Sequence, residues 1–286
     1  MMSARFLTVV LERAFNMRDG FGREIDYMRI SVIDSCNLNC YYCNPCDNNE
    51  HCHALNILSV KEVLCIVRAA TRLGIKHFRL TGGEPLLHPQ LDEMVLQIKK
   101  IPGVSSVSLT TNAVLLAQHA KWLKEAGIDS INVSLDTIDA SEYERITKKP
   151  LLEEVKHGIN AAIECGIRVK INVVLTPQTD VVALTRYVAK KGTDIRFIEM
   201  MPVGEGHTNG VEPYKKVIGT LSKLYGEPCR INTEKTKEIN SGNDKRKIPD
   251  NGPAEYYIFP ELGIRVGLIQ AIHGKFCDTC NRIRVT

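Results

Sequence analysis

Four cysteines stand within twelve residues near the start of the chain, in the stretch SCNLNCYYCNPC. Their spacing suits a metal centre, because thiolates are soft ligands that bind iron–sulfur clusters and zinc. Four ligands from this loop would close the centre and restrict it to structure or electron transfer. If only Cys36, Cys40 and Cys43 bind, in C-x3-C-x2-C spacing, one coordination position stays open to a substrate. The loop therefore indicates either a closed centre or an enzyme.

Cys52 lies close to these four, and Cys277 and Cys280 form a terminal pair. The other cysteines are scattered, namely Cys65, Cys165 and Cys229, and we predict the first two of them to lie in the core. A secreted disulfide scaffold is usually short and carries cysteines throughout. Two tight clusters around a long, cysteine-poor body instead predict metal ligation in a reducing, cytoplasmic location. Zinc is the less favoured metal, because structural zinc sites usually take paired ligands from one compact module.

The body of the chain alternates strand-like and helix-like segments, which predicts a parallel sheet with right-handed crossovers. Six repeats are fewer than the eight that close a full barrel. A partial barrel and a doubly wound sheet are therefore both compatible with the pattern. Four predicted helices are followed by a glycine, as is typical of a helix end. The predicted strands are 28–33, 77–81, 104–110, 130–135, 169–175 and 195–200, and the predicted helices are 60–73, 91–100, 115–126, 153–165 and 180–190.

Each predicted strand ends in a polar or glycine-rich turn. The carboxyl ends of parallel strands form the active-site face of such folds, so we expect these turns to surround one pocket. In the turn LTGGEP, Gly82 and Gly83 allow close approach of the backbone, and Glu84 can accept a hydrogen bond from an ammonium group. Ser134 and the residues 110–112 add polar groups to the same pocket.

The repeating pattern stops after Gly204. We predict a helix over residues 212–225, a charged surface loop over 233–252, and a hairpin over 256–268 that leads to the last cysteines. The predicted organisation is a barrel domain over residues 1–204 and a C-terminal region over residues 205–286 with the second cysteine cluster.

The bulk composition excludes several classes of protein. An apolar share of 44% and a charged share of 24% are ordinary for a globular protein. No apolar run approaches the ~20 residues of a bilayer span, so no membrane partner is predicted. A net charge of +4 is too small to indicate nucleic acid. Residues 1–17 are amphipathic without a small-residue cleavage site, which predicts an N-terminal helix and not a signal peptide.

The cysteine loop, with Tyr42 before its third cysteine, resembles the radical S-adenosylmethionine superfamily. Further segments resemble, in the same order, the GTP 3′,8-cyclase family of molybdenum cofactor biosynthesis and cover nearly the whole chain. These segments are DGFGR, RISVIDSCNLNCYYC, FRLTGGEPLL, LTTN, INVSLD, KINVV, IRFIEMMPVG and FCDTCNRIRVT.

The resemblance implies a partial (β/α)6 TIM-like barrel with a C-terminal extension and two [4Fe-4S] clusters. It also implies the first step of molybdopterin biosynthesis, in which a 5′-deoxyadenosyl radical takes the C3′ hydrogen of GTP and the product is 3′,8-cyclo-7,8-dihydro-GTP. The implied partners besides GTP are a reducing electron donor and a downstream pyranopterin synthase, and a homodimer stays open.

Individual roles follow from the same resemblance. Cys36, Cys40 and Cys43 are implied to ligate the first cluster, and Cys277 and Cys280 the second. The implied S-adenosylmethionine contacts are Tyr42, Gly83, Thr111, Ser134, Lys170 and Met201. The implied substrate contacts are Arg29, Arg79, Arg196 and His77, and the implied catalytic arginines are Arg29, Arg282 and Arg284. Arginine suits a triphosphate because its planar fork binds two phosphate oxygens at once.

Two features differ from the family pattern. His77 stands where the family usually has a lysine, and a neutral imidazole binds phosphate less strongly. The third cysteine of the second cluster and the glycine-ending tail do not occur before Thr286. We therefore expect a complete first cluster and an incomplete second one, in a chain that is cut short or differently ligated. Cys46 and Cys52 are expected to be loop thiols and not ligands.

Three other interpretations stay open. A radical S-adenosylmethionine enzyme that acts on a peptide predicts cleavage of S-adenosylmethionine without GTP binding. A zinc or nucleic-acid-binding module predicts bound zinc and a steep salt dependence of binding, against which the small net charge argues. A truncated cyclase predicts the fold, and cleavage of S-adenosylmethionine, without cyclisation.

Overall fold

The computed structural model describes residues 17–43, 56–201, 212–231, 253–274 and 280–286. Within these ranges, all strands belong to one ten-stranded sheet. The strands are β1 (Tyr27–Ser31), β2 (His77–Thr81), β3 (Ser106–Thr111), β4 (Ser130–Ser134), β5 (Arg168–Leu175), β6 (Asp194–Glu199), β7 (Cys229–Ile231), β8 (Glu255–Ile258), β9 (Arg265–Ile269) and β10 (Arg282–Val285).

The helices lie between these strands, and the predicted helix ends carry glycines in the left-handed region. Gly74, Gly127, Gly166 and Gly192 all have positive φ, as the sequence predicted. The helices are α1 (Val60–Arg72), α2 (Leu91–Lys99), α3 (Leu116–Glu125), α4 (Ala140–Thr147), α5 (Leu152–Glu164), α6 (Val181–Lys190) and α7 (Gly219–Tyr225), with a 3₁₀ turn at Pro85–Leu87 and a π-helical turn at Tyr214–Ile218. Every helix in the described ranges is too short or too polar to cross a bilayer.

The strand order is β10-β1-β2-β3-β4-β5-β6-β9-β8-β7. β1 to β6 are neighbours in chain order and all parallel. A doubly wound sheet would reverse its order at a switch point, so the topology decides for the partial (β/α)6 barrel. β10 pairs with β1 and β9 with β6, both in parallel. Strands of the C-terminal region therefore extend both edges of the open barrel, and the domain division at residue 204 stays a prediction.

The two faces of the sheet differ in polarity. On the face toward the helices, alternate residues such as Ile30, Phe78 and Leu109 belong to the apolar core. The inner face carries polar side chains, and full barrels instead fill this space with branched apolar residues. Inner-face residues linked by the strand register include Arg29, Arg79, Ser108, Asn132, Lys170 and Arg196. The barrel interior is therefore suited to a polar ligand.

Three features differ from the sequence prediction. α4 was not predicted, because its eight residues are mostly polar and bury only Tyr143, Ile146 and Thr147. β7 and β10 were also not predicted, whereas the hairpin is present as antiparallel β8 and β9. The predicted N-terminal helix and charged loop lie outside the described residues.

Cys65 is exposed, so its predicted place in the core is wrong. α1 buries Val63 and Val67, and a residue two positions after Val63 points to the opposite side of a helix with 3.6 residues per turn. Cys165 is half-buried and packs against the core.

Candidate active site

The three motif cysteines stand on the loop that follows β1, at the carboxyl ends of the strands. Two backbone N–H groups of this loop donate to the end of α4: Asn39 to the Thr147 carbonyl and Tyr41 to the Ile146 carbonyl, both at 3.1 Å. The last carbonyls of a helix have no partner within the helix, so they are available to hold the loop. The helix that the sequence did not predict therefore positions the cysteines.

The cysteine thiols lie close enough to influence one another. Burial, followed by the charges of Cys43, Asp136 and Cys36, raises the pKa of Cys40 to about 12. Burial also raises the pKa of Cys36 and of Cys43. Iron bound to the thiols would favour the thiolate form and offset this effect. The described residues contain no group of side chains already arranged as a metal site, so the three thiols would have to draw together around a cluster. Their sulfur chemistry and number suit a [4Fe-4S] cluster with one open position. Cys46 and Cys52 lie outside the described residues.

The turn after β2 packs its backbone against the start of the cysteine loop. Gly83 N donates to the Ile33 carbonyl, and Glu84 N donates to the Ser35 carbonyl, each at 2.7 Å. A Cβ atom on Gly83 would stand 2.2 Å from the Ser35 carbonyl oxygen. Only glycine fits this close approach, so the turn fixes the position at which the cysteine loop begins.

Glu84 was expected to face an ammonium group, but its carboxylate is occupied. Three donors contact it: the Thr111 hydroxyl at 2.7 Å and the backbone N–H groups of Leu86 and Asn112 at 2.9 and 2.7 Å. Glu84 is only 1% exposed. The Asn112 side chain in turn donates to Asn37 Oδ1 at 2.7 Å. Glu84 therefore ties the ends of β2 and β3 to the cysteine loop.

Asp136 anchors Tyr42, a contact that the sequence analysis did not predict. The Tyr42 hydroxyl donates to one carboxylate oxygen of Asp136, and the other accepts from Val174 N at 2.7 Å. Burial raises the pKa of Asp136 to about 6. Tyr42 thus connects the cysteine loop to the ends of β4 and β5. The available signal was the position of Asp136 directly after the predicted fourth strand.

Five arginines converge on the inner face of the barrel. In the strand register Arg29 stands beside Arg284 on one side and Arg79 on the other. Burial lowers the pKa of Arg79 to about 10, and the charges of Arg196, Arg282 and Arg29 contribute to that shift. Burial, then the charge of Arg284, lowers the pKa of Arg29. The arginine cluster, defined as Arg29, Arg79, Arg196, Arg282 and Arg284, draws on β1, β2, β6 and β10.

The arginine cluster surrounds Tyr27, a residue that sequence reasoning also missed. The guanidinium carbons of Arg79 and Arg282 lie 5.6 and 4.9 Å from the centroid of its ring. The buried Tyr27 hydroxyl has no hydrogen-bond partner among the described residues. Within the same residues, neither Arg29 nor Arg79 pairs with a carboxylate. Partly buried charges without an acidic partner need compensation, so this arrangement suits an anion with several charges.

His77 lies at the amino end of β2, beside Tyr27 in the register. Its Nδ1 atom is 2.8 Å from the Ser106 hydroxyl, and its Nε2 atom is 3.9 Å from Asp26 Oδ2. Burial lowers the pKa of His77, and the Asp26 charge opposes that shift. The imidazole is therefore neutral at pH 7, and its predicted role at the triphosphate stays a prediction.

The remaining predicted residues lie at different depths. Lys170 is buried on the inner face, whereas Ser134 is exposed at the end of β4 and Met201 is 52% exposed after β6. Cys280 is half-buried before β10, and Cys277 lies outside the described residues. The assignments of these residues to S-adenosylmethionine or to a second cluster stay predictions.

Comparison with known proteins agrees with this architecture. The profile of the Radical SAM superfamily matches residues 30–184, and that of Molybdenum Cofactor Synthesis C matches residues 193–286. A curated GTP 3′,8-cyclase from Clostridium perfringens is 37% identical over 94% of this chain and 80% of the relative. The chain belongs to the GTP 3′,8-cyclase family. Another GTP 3′,8-cyclase, from Pelotomaculum thermopropionicum, is 37% identical over 94% of this chain and 81% of its own length.

Membership in the GTP 3′,8-cyclase family makes the chain a radical S-adenosylmethionine lyase of molybdenum cofactor synthesis, with a [4Fe-4S] cluster and S-adenosylmethionine as cofactors. Solved structures show the shared fold. Streptococcus suis SuiB bound to its precursor peptide SuiA superposes with a TM-score of 0.57 at 20% identity, over 69% of this chain and 44% of SuiB. anSMEcpe with bound AdoMet superposes with a TM-score of 0.55 at 18% identity, over 70% of this chain and 60% of anSMEcpe. The chain spans less than two thirds of either structure.

Proposed function

We propose that Cys36, Cys40 and Cys43 hold the open-site cluster of this cyclase and that the arginine cluster holds the triphosphate of GTP. The observation that carries the proposal is the convergence of five arginines on one side of the barrel interior. Arg196 is buried, Arg284 is exposed, and the other three are half-buried. A nucleoside triphosphate carries several negative charges, and guanidinium groups bind phosphate oxygens in pairs.

The mouth of the barrel serves the cofactors in this proposal. When bound, the cluster and S-adenosylmethionine supply the 5′-deoxyadenosyl radical. The chain itself holds the cysteine loop from three sides, through the end of α4, the Gly83 turn and the Tyr42–Asp136 contact. Gly83 is also a proposed contact of S-adenosylmethionine, through its backbone. Ser134, Thr111, Lys170 and Met201 are the further proposed contacts.

The interior serves the nucleotide. Arg29 and Arg79 bind phosphate oxygens from β1 and β2, and Arg196 approaches from β6. Arg282 and Arg284 contribute from β10, which supports their proposed role in orienting the substrate for cyclisation. With the triphosphate held inside the barrel, the ribose extends toward the mouth and the C3′ hydrogen faces the cofactor end.

Cys277 and Cys280 are proposed to ligate a second cluster, which two thiolates hold less firmly than three hold the first. Iron and sulfide analysis of anaerobically reconstituted protein tests this part. We expect about four irons bound firmly and any further iron to be lost to a mild chelator. Eight firmly bound irons per chain would show that the second cluster is complete.

Anaerobic incubation with S-adenosylmethionine, a reductant and GTP tests the main proposal. We expect 5′-deoxyadenosine and a cyclised nucleotide from the wild type, and neither product from Cys40→Ala. Cys65→Ala is the matched control, because this exposed thiol lies on α1, away from the loop. Cleavage of S-adenosylmethionine without any GTP binding would contradict the proposal and favour a peptide substrate.

A further inference from the structure

Asn132 is a buried amide that the proposed sites do not use. It lies on β4 and is 1% exposed. Neither its side-chain oxygen nor its side-chain nitrogen has a hydrogen-bond partner among the described residues. An unsatisfied amide in a protein interior costs stability. Because both the acceptor and the donor of the Asn132 amide are unsatisfied, this side chain is positioned to bind a ligand.

The strand register places Asn132 on the inner face of the barrel. Its neighbours in the sheet are Thr110 on β3 and Lys170 on β5, whereas Ile131 and Val133 on either side belong to the apolar core. The Asn132 side chain therefore points into the same interior as the arginine cluster.

Residues that pair across neighbouring strands form rows across the sheet. Asn132 lies between the row that contains Arg79 and the row that contains Arg196. Ser130, two residues before it, pairs with Ser108, which pairs with Arg79. Ser134, two residues after it, pairs with Asn172, which pairs with Arg196. Each step of two residues along a strand is about 7 Å. Asn132 is thus one step from the row of Arg79, and one step from the mouth of the barrel.

This position matches one part of a nucleotide. The ribose is the group attached directly to the triphosphate, and its vicinal hydroxyls each donate and accept hydrogen bonds. A carboxamide offers one acceptor and a donor in fixed geometry, so it can accept from one hydroxyl and donate to the other. The nucleobase lies further from the phosphates and is a less direct match.

We infer that Asn132 binds the ribose hydroxyls of the nucleoside triphosphate and makes the enzyme selective for ribonucleotides over deoxyribonucleotides. The inference rests on the proposed triphosphate site in the arginine cluster. Asn132 orients the sugar whose C3′ atom reacts, so it acts as a specificity residue of the cyclisation.

Calorimetric titration of the full, anaerobically reconstituted chain tests the inference. GTP, 2′-deoxy-GTP and inorganic tripolyphosphate are titrated into the wild type and into Asn132→Leu, a variant of similar size without polar atoms. We expect the wild type to prefer GTP over 2′-deoxy-GTP by about five- to tenfold, the value of one hydrogen bond. In Asn132→Leu the preference is lost, GTP affinity falls by at least the same factor because the contact with the other hydroxyl is also removed, and tripolyphosphate affinity is unchanged.

Thr185→Val is the matched control, because the Thr185 hydroxyl is also buried without a partner among the described residues but lies on α6, outside the barrel. It should bind all three ligands like the wild type. A wild type that does not bind tripolyphosphate would refute the triphosphate site separately. Retained discrimination in Asn132→Leu, or lost affinity for S-adenosylmethionine with discrimination intact, would overturn the inference.

Thermal unfolding separates a binding role from a structural one. Without nucleotide, Asn132→Leu should unfold at the same temperature as the wild type or a few degrees higher, because the unsatisfied amide is removed. GTP should then raise the unfolding temperature of the wild type more than that of the variant. A variant that is less stable than the wild type, or that does not fold, shows a structural amide and overturns the inference.

Discussion

Arginines that lie beside one another in a barrel interior repel each other. The side chains of Tyr27 and Ser108 stabilise them in this arrangement. The ring of Tyr27 lies against the guanidinium groups of Arg79 and Arg282, and a cation over an aromatic ring is stabilised by about 0.5–2 kcal/mol. Arg79 Nε also donates to the Ser108 hydroxyl at 3.0 Å. Neither contact neutralises a charge, so the cluster is preorganised for an anion.

Tyr27→Phe tests whether the buried hydroxyl contacts the substrate. The variant keeps the ring and removes only the hydroxyl, so we expect GTP affinity to fall by about five- to tenfold, with the unfolding temperature unchanged. Tyr27→Leu should lose more affinity because the ring contacts are also lost. The measurement is equilibrium titration with GTP.

Tyr187→Phe is the matched control for that substitution. The Tyr187 hydroxyl is also buried without a partner in the described part of the chain, and its ring contacts Lys191 at 5.8 Å, but it lies on α6. Its GTP affinity should equal that of the wild type. Equal affinities for wild type and Tyr27→Phe would exclude a contact between this hydroxyl and the substrate.

His77 should make GTP binding depend on pH. Burial lowers its pKa below the ordinary value of 6.5, so the free protein carries a neutral imidazole at pH 7. A bound triphosphate favours the protonated form and raises that pKa, so binding takes up a proton and strengthens as pH falls from 7.5 to 6. His77→Lys should bind more tightly at pH 7.5 and lack this dependence.

Calorimetry in buffers of different ionisation enthalpy measures the proton uptake. The γ-phosphate of free GTP also titrates in this range, and that contribution is the same for both proteins. The difference between wild type and His77→Lys therefore reports the imidazole alone. Identical pH profiles for the two proteins would remove His77 from the triphosphate site.

The cysteine loop depends on secondary structure elsewhere in the chain, above all on the short helix α4. Asp139 begins this helix by accepting from Glu142 N at 2.8 Å, and the other end holds the loop. Loss of such a cap costs about 1 kcal/mol. In a helix of eight residues, this loss should loosen the carbonyls that bind the loop.

Asp139→Ala should therefore make the first cluster more labile. We expect the variant to take up nearly the normal amount of iron but to lose it faster to a chelator. The decrease of the cluster's visible absorbance measures this loss. Asp180→Ala is the control, because Asp180 caps α6 in the same way, through Ala183 N at 2.9 Å. If both variants release iron at the same rate, α4 has no special role at the cluster.

The full sheet brings the two ends of the chain together at one edge of the barrel. β10 pairs with β1, and the Asn281 side chain donates to Asp26 at 2.6 Å just before the strand begins. The pairing brings Arg282 and Arg284 to the inner face of the sheet, where Arg282 is half-buried and Arg284 is exposed. It also covers the backbone edge of β1, which an open sheet would leave unpaired.

Removal of residues 282–286 should uncouple the cleavage of S-adenosylmethionine from the cyclisation of GTP. We expect 5′-deoxyadenosine still to form, with GTP affinity reduced more than tenfold and little cyclised nucleotide. The double variant Arg282→Ala and Arg284→Ala keeps β10 but removes its charges. It should behave like the truncated chain if the arginine charges, and not the strand, bind GTP. Normal coupling in the double variant would assign β10 a purely structural role.

The amino-acid sequence by itself determined the strands β1 to β6, most helices, the helix-ending glycines and the cysteine motif. These features depend on local periodicity, on residues such as Gly127 that suit one backbone conformation, and on ligands close together in the chain. The family also followed from short motifs, because Cys36, Cys40 and Cys43 lie on one loop.

Only the tertiary structure decided what surrounds the ligands. Whether Glu84 is free or occupied, and what Tyr27 and Asn132 contact, depends on residues that are distant in the chain. The arginine cluster joins strands from both ends of the sequence, and no local pattern encodes that pairing. The same holds for α4, whose eight mostly polar residues are too few for a stable helix until it packs against the cysteine loop and the core. Packing between distant segments is the physical reason, since it sets burial, charge and hydrogen bonding together.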